Sequence, residues 1–412
     1  MRAGVGYANA SSARECGHAA ASAALRQGAI TAPELVLAFC AGNLDAAAFL
    51  AGVRAEVGST SPIVGGSAVG VVTCEALSYA GAPAAVAVLE LGSPLPVVAA
   101  VGRVDRDERE AGRGLGRALA AQQPAQQAAA SALLLFYDSI RAAPTAAAPP
   151  VMNASRPLIA GLLETFPGCP PVVGAGVLGD HAFAPTWQFC GDVARRQQAV
   201  GALLGASTRW TVQVMHGCTP MDGVPHLLTR VEGGVVHEID GRPAAERIDD
   251  LYGARAWREQ RPLHRLTLGV RQGERFLAAG DDAFVNRLIT GVMPDGKAIG
   301  LFEPDLEDGA EVLFMLRDPS LMIESARAGS EAAVARLRGE GVQPRFALYI
   351  DCAGRVAAAS GTTTEEAAEV QAVMYREGIP LLGFYSGVEV APLRGVSRGL
   401  DWTGVLLLLG EA

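Results

Sequence analysis

Three stretches of the chain repeat one order of apolar and punctuating residues. The run Leu35-Val36-Leu37-Ala38-Phe39-Cys40 reads as a buried strand. A helical pattern follows, then the short apolar stretch Pro62-Ile63-Val64-Gly65-Gly66, and later the strand-like Ala85 to Leu91. The same order returns with Leu133 to Asp138, Pro171 to Ala175 and Ala199 to Gly205. It returns again with Phe346 to Asp351, Pro380 to Phe384 and Thr403 to Leu409. This self-similarity predicts repeated units: a strand, a helix, a short strand ending in glycine, an irregular segment and a strand. A crossover helix between two apolar strands makes those two parallel. The predicted class is α/β, with mixed sheets flanked by helices.

In the third unit Thr363 and Glu366 have capping-box spacing, and Val370, Val373 and Met374 give an apolar face that stops at Gly378 and Pro380. From Arg209 the texture changes. Trp210 to Met215 alternates, while Val231-Glu232-Gly233-Gly234-Val235 and Asp240-Gly241 read as turns. Pro243 opens a helix over Ala244 to Leu251 that stops at Gly253. A domain boundary near residue 210 is expected, dividing the chain into 1–209 and 210–412. Within the first part, 118–150 is rich in alanine, glutamine and proline and reads as a peripheral insert.

Composition narrows the chemistry. The 412 residues are 50% hydrophobic and 19% charged, enough apolar character for a substantial core. Of 34 basic residues only Lys297 is a lysine, and it sits in the turn-like Pro294-Asp295-Gly296-Lys297-Ala298. A phosphate loop of the Walker type is therefore not encoded, and imine chemistry has no better candidate. A net charge of -9 without a basic run argues against nucleic acid or an anionic membrane as partner. The most apolar region, 81–101, is broken by Pro83, Glu90, Pro94 and Pro96 and does not read as a spanning helix. Seven cysteines without C-x-x-C spacing suit reduced thiols, and no zinc spacing occurs. A soluble, cytoplasmic protein is expected.

Gly174-Ala175-Gly176-Val177-Leu178-Gly179 has dinucleotide-fingerprint spacing, but Pro185 follows soon after and no acidic residue stands at the later position. A nicotinamide or flavin cofactor is not expected. The loop Gly66-Ser67, after Gly65, suits anion or amide contact better than nucleophilic attack. His216-Gly217-Cys218 ends an alternating strand, and its histidine could ligate a metal or haem iron. In Cys352-Ala353-Gly354-Arg355 a guanidinium beside the thiol would lower its pKa and could fork onto a carboxylate. Each has a bland alternative: a hydrogen-bonded strand-end histidine, and a buried inert cysteine.

Taken in order, these residues resemble the FIST proteins. The resemblance rests on Pro62-Ile63-Val64-Gly65-Gly66-Ser67, His216-Gly217-Cys218-Thr219-Pro220 and Glu238-Ile239-Asp240-Gly241-Arg242-Pro243-Ala244. Cys352-Ala353-Gly354-Arg355, then Gly383-Phe384-Tyr385 with Glu389, complete it, from about Gly4 to Thr403. Arg287 and the pair Arg317-Asp318 also resemble family positions, whereas Val388 departs by separating Gly387 from Glu389.

The resemblance implies an N-terminal and a C-terminal FIST domain, and an intracellular sensory module that binds a small ligand. Output would pass through a partner protein such as a histidine kinase, and a homo-oligomer is open. The implied ligand is amino-acid-like or a small carboxylate; in haem-binding, nitric-oxide-sensing members it is haem, and His216 is then the axial ligand. The expected site gathers Gly65, Gly66, Ser67, Gly176, His216, Gly217, Cys218, Arg287, Cys352, Gly354, Arg355, Phe384, Tyr385 and Glu389. A cysteine-nucleophile enzyme using Cys218 or Cys352 competes with this reading, as does a scaffold that only mediates contacts. The enzyme would need a base and oxyanion donors that the sequence does not display.

Overall fold

Strand and helix alternate at three points in the chain, and each time they build the same α/β unit. The computed structural model describes residues 1–92, 96–122, 131–145, 150–260, 263–274, 280–360 and 363–411. The first unit comprises β1 (Arg2–Asn9), α1 (Ala13–Gly28), β2 (Leu35–Ala41), α2 (Ala46–Val57), β3 (Ile63–Ala68), the hairpin β4 (Val71–Thr73) and β5 (Leu77–Ser78), and β6 (Pro83–Glu90). The second comprises β7 (Val97–Gly102), α3 (Glu108–Gln122), β8 (Ala132–Asp138), the ribbon β9 (Ile140–Ala142) and β10 (Val151–Met152), and α4 (Ser155–Thr165). It continues through β11 (Val172–Val177), the hairpin β12 (Gln188–Cys190) and β13 (Val193–Arg195), and β14 (Gln198–Leu204).

β15 (Arg209–Met215) opens the third unit, which an insertion then interrupts. The insertion holds β16 (Cys218–Pro220), β17 (His226–Glu232), β18 (Val235–Ile239), β19 (Arg242–Pro243), α5 (Ala244–Tyr252), β20 (Leu266–Arg271), β21 (Phe284–Val292), β22 (Ile299–Leu301) and β23 (Glu311–Arg317). The unit resumes with α6 (Pro319–Gly339), β24 (Gln343–Cys352), the short α7 (Ala357–Ser360), α8 (Glu366–Glu377) and β25 (Leu381–Ser386). The hairpin β26 (Val388–Leu393) and β27 (Val396–Leu400) follows, then β28 (Gly404–Glu411).

The three sheets share one order: β1-β6-β2-β3, β7-β14-β8-β11 and β15-β28-β24-β25. In each, the predicted pair joined by a crossover helix is parallel, with Val36 opposite Ile63, Leu133 opposite Val172 and Ala347 opposite Leu381. Every sheet is then completed by another unit's hairpin. The pair β12-β13 extends β3, β26-β27 extends β11, and β4-β5 extends β25.

Side chains alternate along these strands, so each sheet has an inner and an outer face. Leu35, Leu37 and Phe39 join Leu134, Phe136, Leu348 and Ile350 in one shared core. Val36, Ala38 and Cys40 pack instead with residues of α1 and α2. At the centre Phe39 stacks on Phe384 with ring centroids 3.8 Å apart and meets Phe136 edge-on at 5.3 Å. Two registers set large against small, with Phe39 facing Gly66 and Phe136 facing Ala175, whereas in the third unit Ile350 faces Phe384. Phe384, expected at a ligand site, is therefore a core ring.

Glycines bring the outer helices into backbone contact. A Cβ on Gly52 of α2 would lie 2.9 Å from the His18 nitrogen, and one on Gly161 of α4 3.0 Å from the Arg113 nitrogen. Gly17 and Gly112 press as closely on the Phe49 and Leu158 carbonyls. Residues 118–122, expected to be peripheral, instead end α3, where Leu119 is wholly buried. Residues 123–130 and 146–149 of the expected insert lie outside the described residues.

The insertion closes on itself. Strands β23, β17, β18, β22, β21 and β20 pair in turn, and β20 returns to β23 to complete a barrel. Val236, Leu268, Ile289 and Phe314 belong to its core, together with Ala245 and Ile248 of α5 and the nearby Trp257. The predicted turn at Asp240-Gly241 has both residues left-handed, at φ 54 and 73. Glu303, after β22, ties the barrel to the second unit. Ala154 offers no side chain to cap α4, and Glu303 Oε1 accepts from the Ser155 N–H and hydroxyl at 2.8 Å each. Among the described residues no helix is long and apolar enough to cross a membrane.

Candidate functional site

Two parallel strands joined by a crossover end side by side, and the chain beyond them diverges, which leaves a crevice at their C-terminal ends. Beyond β24 and β25 this crevice is a cavity of about 580 Å³. Cys352 and Ser386, opposite each other in the register, line it together with Gly354 and Gly387. The loop after β11 adds Leu178, His181 and Phe183, and the barrel adds His264, Leu288, Thr290 and Phe302. Asp401 and Trp402, between β27 and β28, complete the wall with Ala358 and Ala359 of α7. The lining is mostly apolar with a few polar groups, the usual make-up of a small-ligand site.

Buried charges hold this wall. Arg355 is 1% exposed and pairs with Glu366. Its Nη1 donates to the Trp402 carbonyl at 2.6 Å and to the His216 carbonyl at 3.1 Å. Glu366 is thereby drawn inward, so the expected capping box does not form: Glu365 is the N-cap of α8 and makes no side-chain cap. Gly354 is required against Trp402, since a Cβ there would lie 2.7 Å from the indole Nε1. Trp402 itself has φ 51, a left-handed conformation that its fixed surroundings must sustain. The Ser386 hydroxyl donates to Glu389 at 3.0 Å, and the Thr403 N–H donates to the same carboxyl group at 3.3 Å. Burial pushes the Glu389 pKa well up.

Asp401 is 1% exposed, and its Oδ2 accepts from the Leu288 N–H at 3.0 Å. Its Oδ1 is buried without a hydrogen-bond partner among the described residues. Burial raises its pKa to about 6, against the pull of nearby Arg287.

His216 lies outside the cavity lining and is 1% exposed. Its Nδ1 accepts from the Cys218 N–H at 2.9 Å, so Nε2 carries the proton and donates to the Asp281 carbonyl at 2.8 Å. Burial lowers its pKa and keeps it neutral. Both nitrogens being engaged, the side chain does not fit an axial haem ligand. Among the described residues, no group of three His, Cys, Asp or Glu side chains could hold a metal ion. Gly217, at φ 62, lets the chain pass α6, where a Cβ would meet the Met322 nitrogen at 2.5 Å.

The thiols are not activated. Burial pushes Cys218 up to about 12 and Cys352 well above its ordinary value. Arg355, expected to lower the latter, is committed to Glu366 and two carbonyls. His216 gives its acceptor nitrogen to a backbone N–H rather than to a thiol. These are packed, inert cysteines.

Several other expected residues serve the frame. Ser67 Oγ accepts from the Trp187 N–H at 3.0 Å, and Gly65 and Gly66 pair with Phe189 and Gln188, on the second unit's hairpin. The Gly176 carbonyl accepts from the Gly387 N–H at 2.9 Å, behind the cavity wall. Arg287 pairs with Asp305 at 2.6 Å through Nε and lines a separate pocket. The Tyr385 hydroxyl donates to Glu365 at 3.3 Å. Cys352 and Gly354 thus line the cavity, Arg355 and Glu389 brace it, and the rest do not meet there. Sequence reading missed Ser386, Asp401, Trp402 and the barrel residues. Trp402, one of four tryptophans, beside an acid and just before the last strand, was the available signal.

Comparison with known proteins places the chain. Residues 34–242 match the FIST N domain and residues 244–392 the FIST C domain. The chain belongs to the FIST family. FIST domains are associated with small-ligand sensing and signalling. An uncharacterized protein of Mycobacterium tuberculosis is 32% identical over 247 residues, 60% of this FIST chain and 62% of that protein. One of Mycobacterium bovis is 29% identical over 225 residues, 54% of this chain and 56% of its own. The chain therefore spans about 62% and 56% of the length of these relatives. Among solved structures, a chorismatase is similar with TM-score 0.32 and 11% identity over 92% of each chain. T. maritima PurL complexed with AMPPCP reaches 0.22 at 10% identity, over 100% of this chain and 72% of that one. Neither bears on the site.

Proposed function

We propose that the protein is a small-ligand-binding sensor whose ligand occupies the cavity beyond β24 and β25. The observation that carries this reading is the cavity of about 580 Å³ with Asp401 in its wall, a buried carboxyl group whose Oδ1 has no hydrogen-bond partner among the described residues. A binding site needs a shaped apolar space and a few placed polar groups, and no acid–base relay. The inert Cys218 and Cys352 favour binding over covalent catalysis. Residues of the second unit, the third unit and the barrel all line the site, so a ligand there contacts all three at once. Signalling then passes through a partner protein such as a histidine kinase. The seven free cysteines suit a cytoplasmic setting.

A thermal-shift screen of small metabolites tests the reading, because a ligand bound only by the native state raises apparent stability. A true ligand raises the unfolding midpoint of the wild type and not that of Ala358→Trp, which places an indole at the cavity edge. A ligand whose shift survives in Ala358→Trp binds elsewhere and overturns the assignment.

A further inference from the structure

A second pocket of about 360 Å³ adjoins the main cavity and shares His264, Ala358 and Ala359 with it. Arg317, the last residue of β23, lines it with Arg265. Arg317 is 4% exposed, yet its environment differs from that of the other buried guanidinium groups. Arg287 pairs with Asp305 and Arg355 with Glu366, whereas Arg317 makes no ion pair among the described residues. Its Nη1 and Nη2 reach the His264 and Gly354 carbonyls only at 3.4 and 3.5 Å, and its Nε is buried without a partner. The Arg317 Cζ lies over the Trp402 ring, 3.9 Å from its centre.

A buried charge without a counter-ion is costly unless something supplies one. Trp402 offsets part of that cost through its ring face. It leaves the edge of the guanidinium, where the five N–H donors lie, for an in-plane partner. Burial, then the neighbouring Arg355, lowers the Arg317 pKa to about 10, so the group is still cationic at neutral pH. Asp318, the nearest acid in sequence, is turned to its own helix, where it accepts from the Ser320 N–H at 2.8 Å. The need is for one negative charge with planar, forked acceptors, which is a carboxylate.

We propose that Arg317 is the anchor of a carboxylate subsite, with Arg265 at its rim, and that the ligand's apolar body extends past His264 into the main cavity. This rests on the ligand-binding reading above and names the chemical class of the ligand. Trp402 links the two parts, since its ring lines the cavity and supports Arg317.

Benzoate and its neutral isostere benzamide, compared by calorimetry and thermal shift at constant ionic strength, test the subsite. Benzoate should bind saturably and at least tenfold more tightly than benzamide. Arg317→Met should remove that preference, and Arg317→Lys, which keeps the charge but not the fork, should retain only part of it. Circular dichroism and the unligated unfolding midpoint establish that each variant is folded, and the Lys variant carries the test if the Met variant is not. Equal binding of acid and amide, or an Arg317→Lys protein that binds benzoate as the wild type does, overturns the subsite while leaving the cavity reading intact. No benzoate binding at all also overturns it, and the Ala358→Trp comparison then judges the cavity separately.

Discussion

At the end of β2 in the first unit the chain enters Gly42, whose N–H donates to the Gly179 carbonyl at 3.1 Å; at the end of β24 in the third unit it enters Ala353, on the wall of a cavity of about 580 Å³. The topology is the same at both places. One register step earlier, the first unit has Cys40 opposite Ser67 and the third has Asp351 opposite Tyr385. Small uncharged groups let backbone close on backbone, and the crevice is sealed. Ionisable groups bring partners, and Asp351, Arg355 and Glu366 are buried together next to Cys352 and Gly354 of the cavity wall. A repeated scaffold can thus carry one site and leave its equivalent position structural.

The largest expected effect is at the charged end. Arg355→Met leaves Glu366 buried without its counter-ion and should cost about 3–5 kcal/mol, read from chemical denaturation. Arg355→Met combined with Glu366→Leu should recover most of that loss. A single-variant cost below about 1 kcal/mol would show that the third unit is not held by charge and would remove the contrast.

Next comes the dependence on pH. Burial raises Asp401 to about 6 and Glu303 to about 8, both above their unfolded values near 4. The folded state therefore holds protons on these two groups that the unfolded state has released, and their contribution to stability falls as pH rises from about 4 to 8. Glu303→Gln should flatten the slope between pH 6 and 8, by about 2 kcal/mol across the window. Unfolding midpoints measured at several pH values check this, with the difference in slope from wild type as the readout. An unchanged slope would mean that Glu303 is ionised as it caps α4.

The smallest effect is at the sealed end. A Cβ on Gly42 would lie 2.7 Å from the Gly179 Cα, so Gly42→Ala must push two loops apart at about 1–3 kcal/mol. A neutral Gly42→Ala variant would mean that close backbone approach is not what shuts this crevice.

The repeated strands were legible because apolar runs ending in glycine leave a strong local signal; Leu35 to Cys40, Leu133 to Asp138 and Phe346 to Asp351 are all strands. The first strands of the first two units were harder to read than Trp210 to Met215, and so was the first helix of each unit. Helix α1 (Ala13–Gly28) buries Cys16, Gly17, Ala20, Ala21 and Ala24, small residues that do not stand out as an apolar stripe. Glycines such as Gly17, Gly52, Gly112 and Gly161 are what let paired helices touch. The site was half legible. Cys352-Ala353-Gly354-Arg355 marked the right strand end, whereas Leu288, Phe302 and Trp402 arrive from distant parts of the chain, and no local pattern announces such a meeting. His216 and Arg355 do meet, but as a carbonyl and a donor rather than as a ligand pair.

The exchange of hairpins among the three sheets also governs how the chain can acquire its structure. The first unit's hairpin, β4 and β5, emerges early in synthesis, yet the strand it pairs with, β25, is made near the end. Likewise β11 waits for β26. Until then these edges stand open, and the pairings that close them join parts of the chain far apart in sequence. Such non-local contacts make folding slow and late. Until the third unit is made, the strand edges at β4 and β11 lack their native partners, the kind of exposure that favours mispairing.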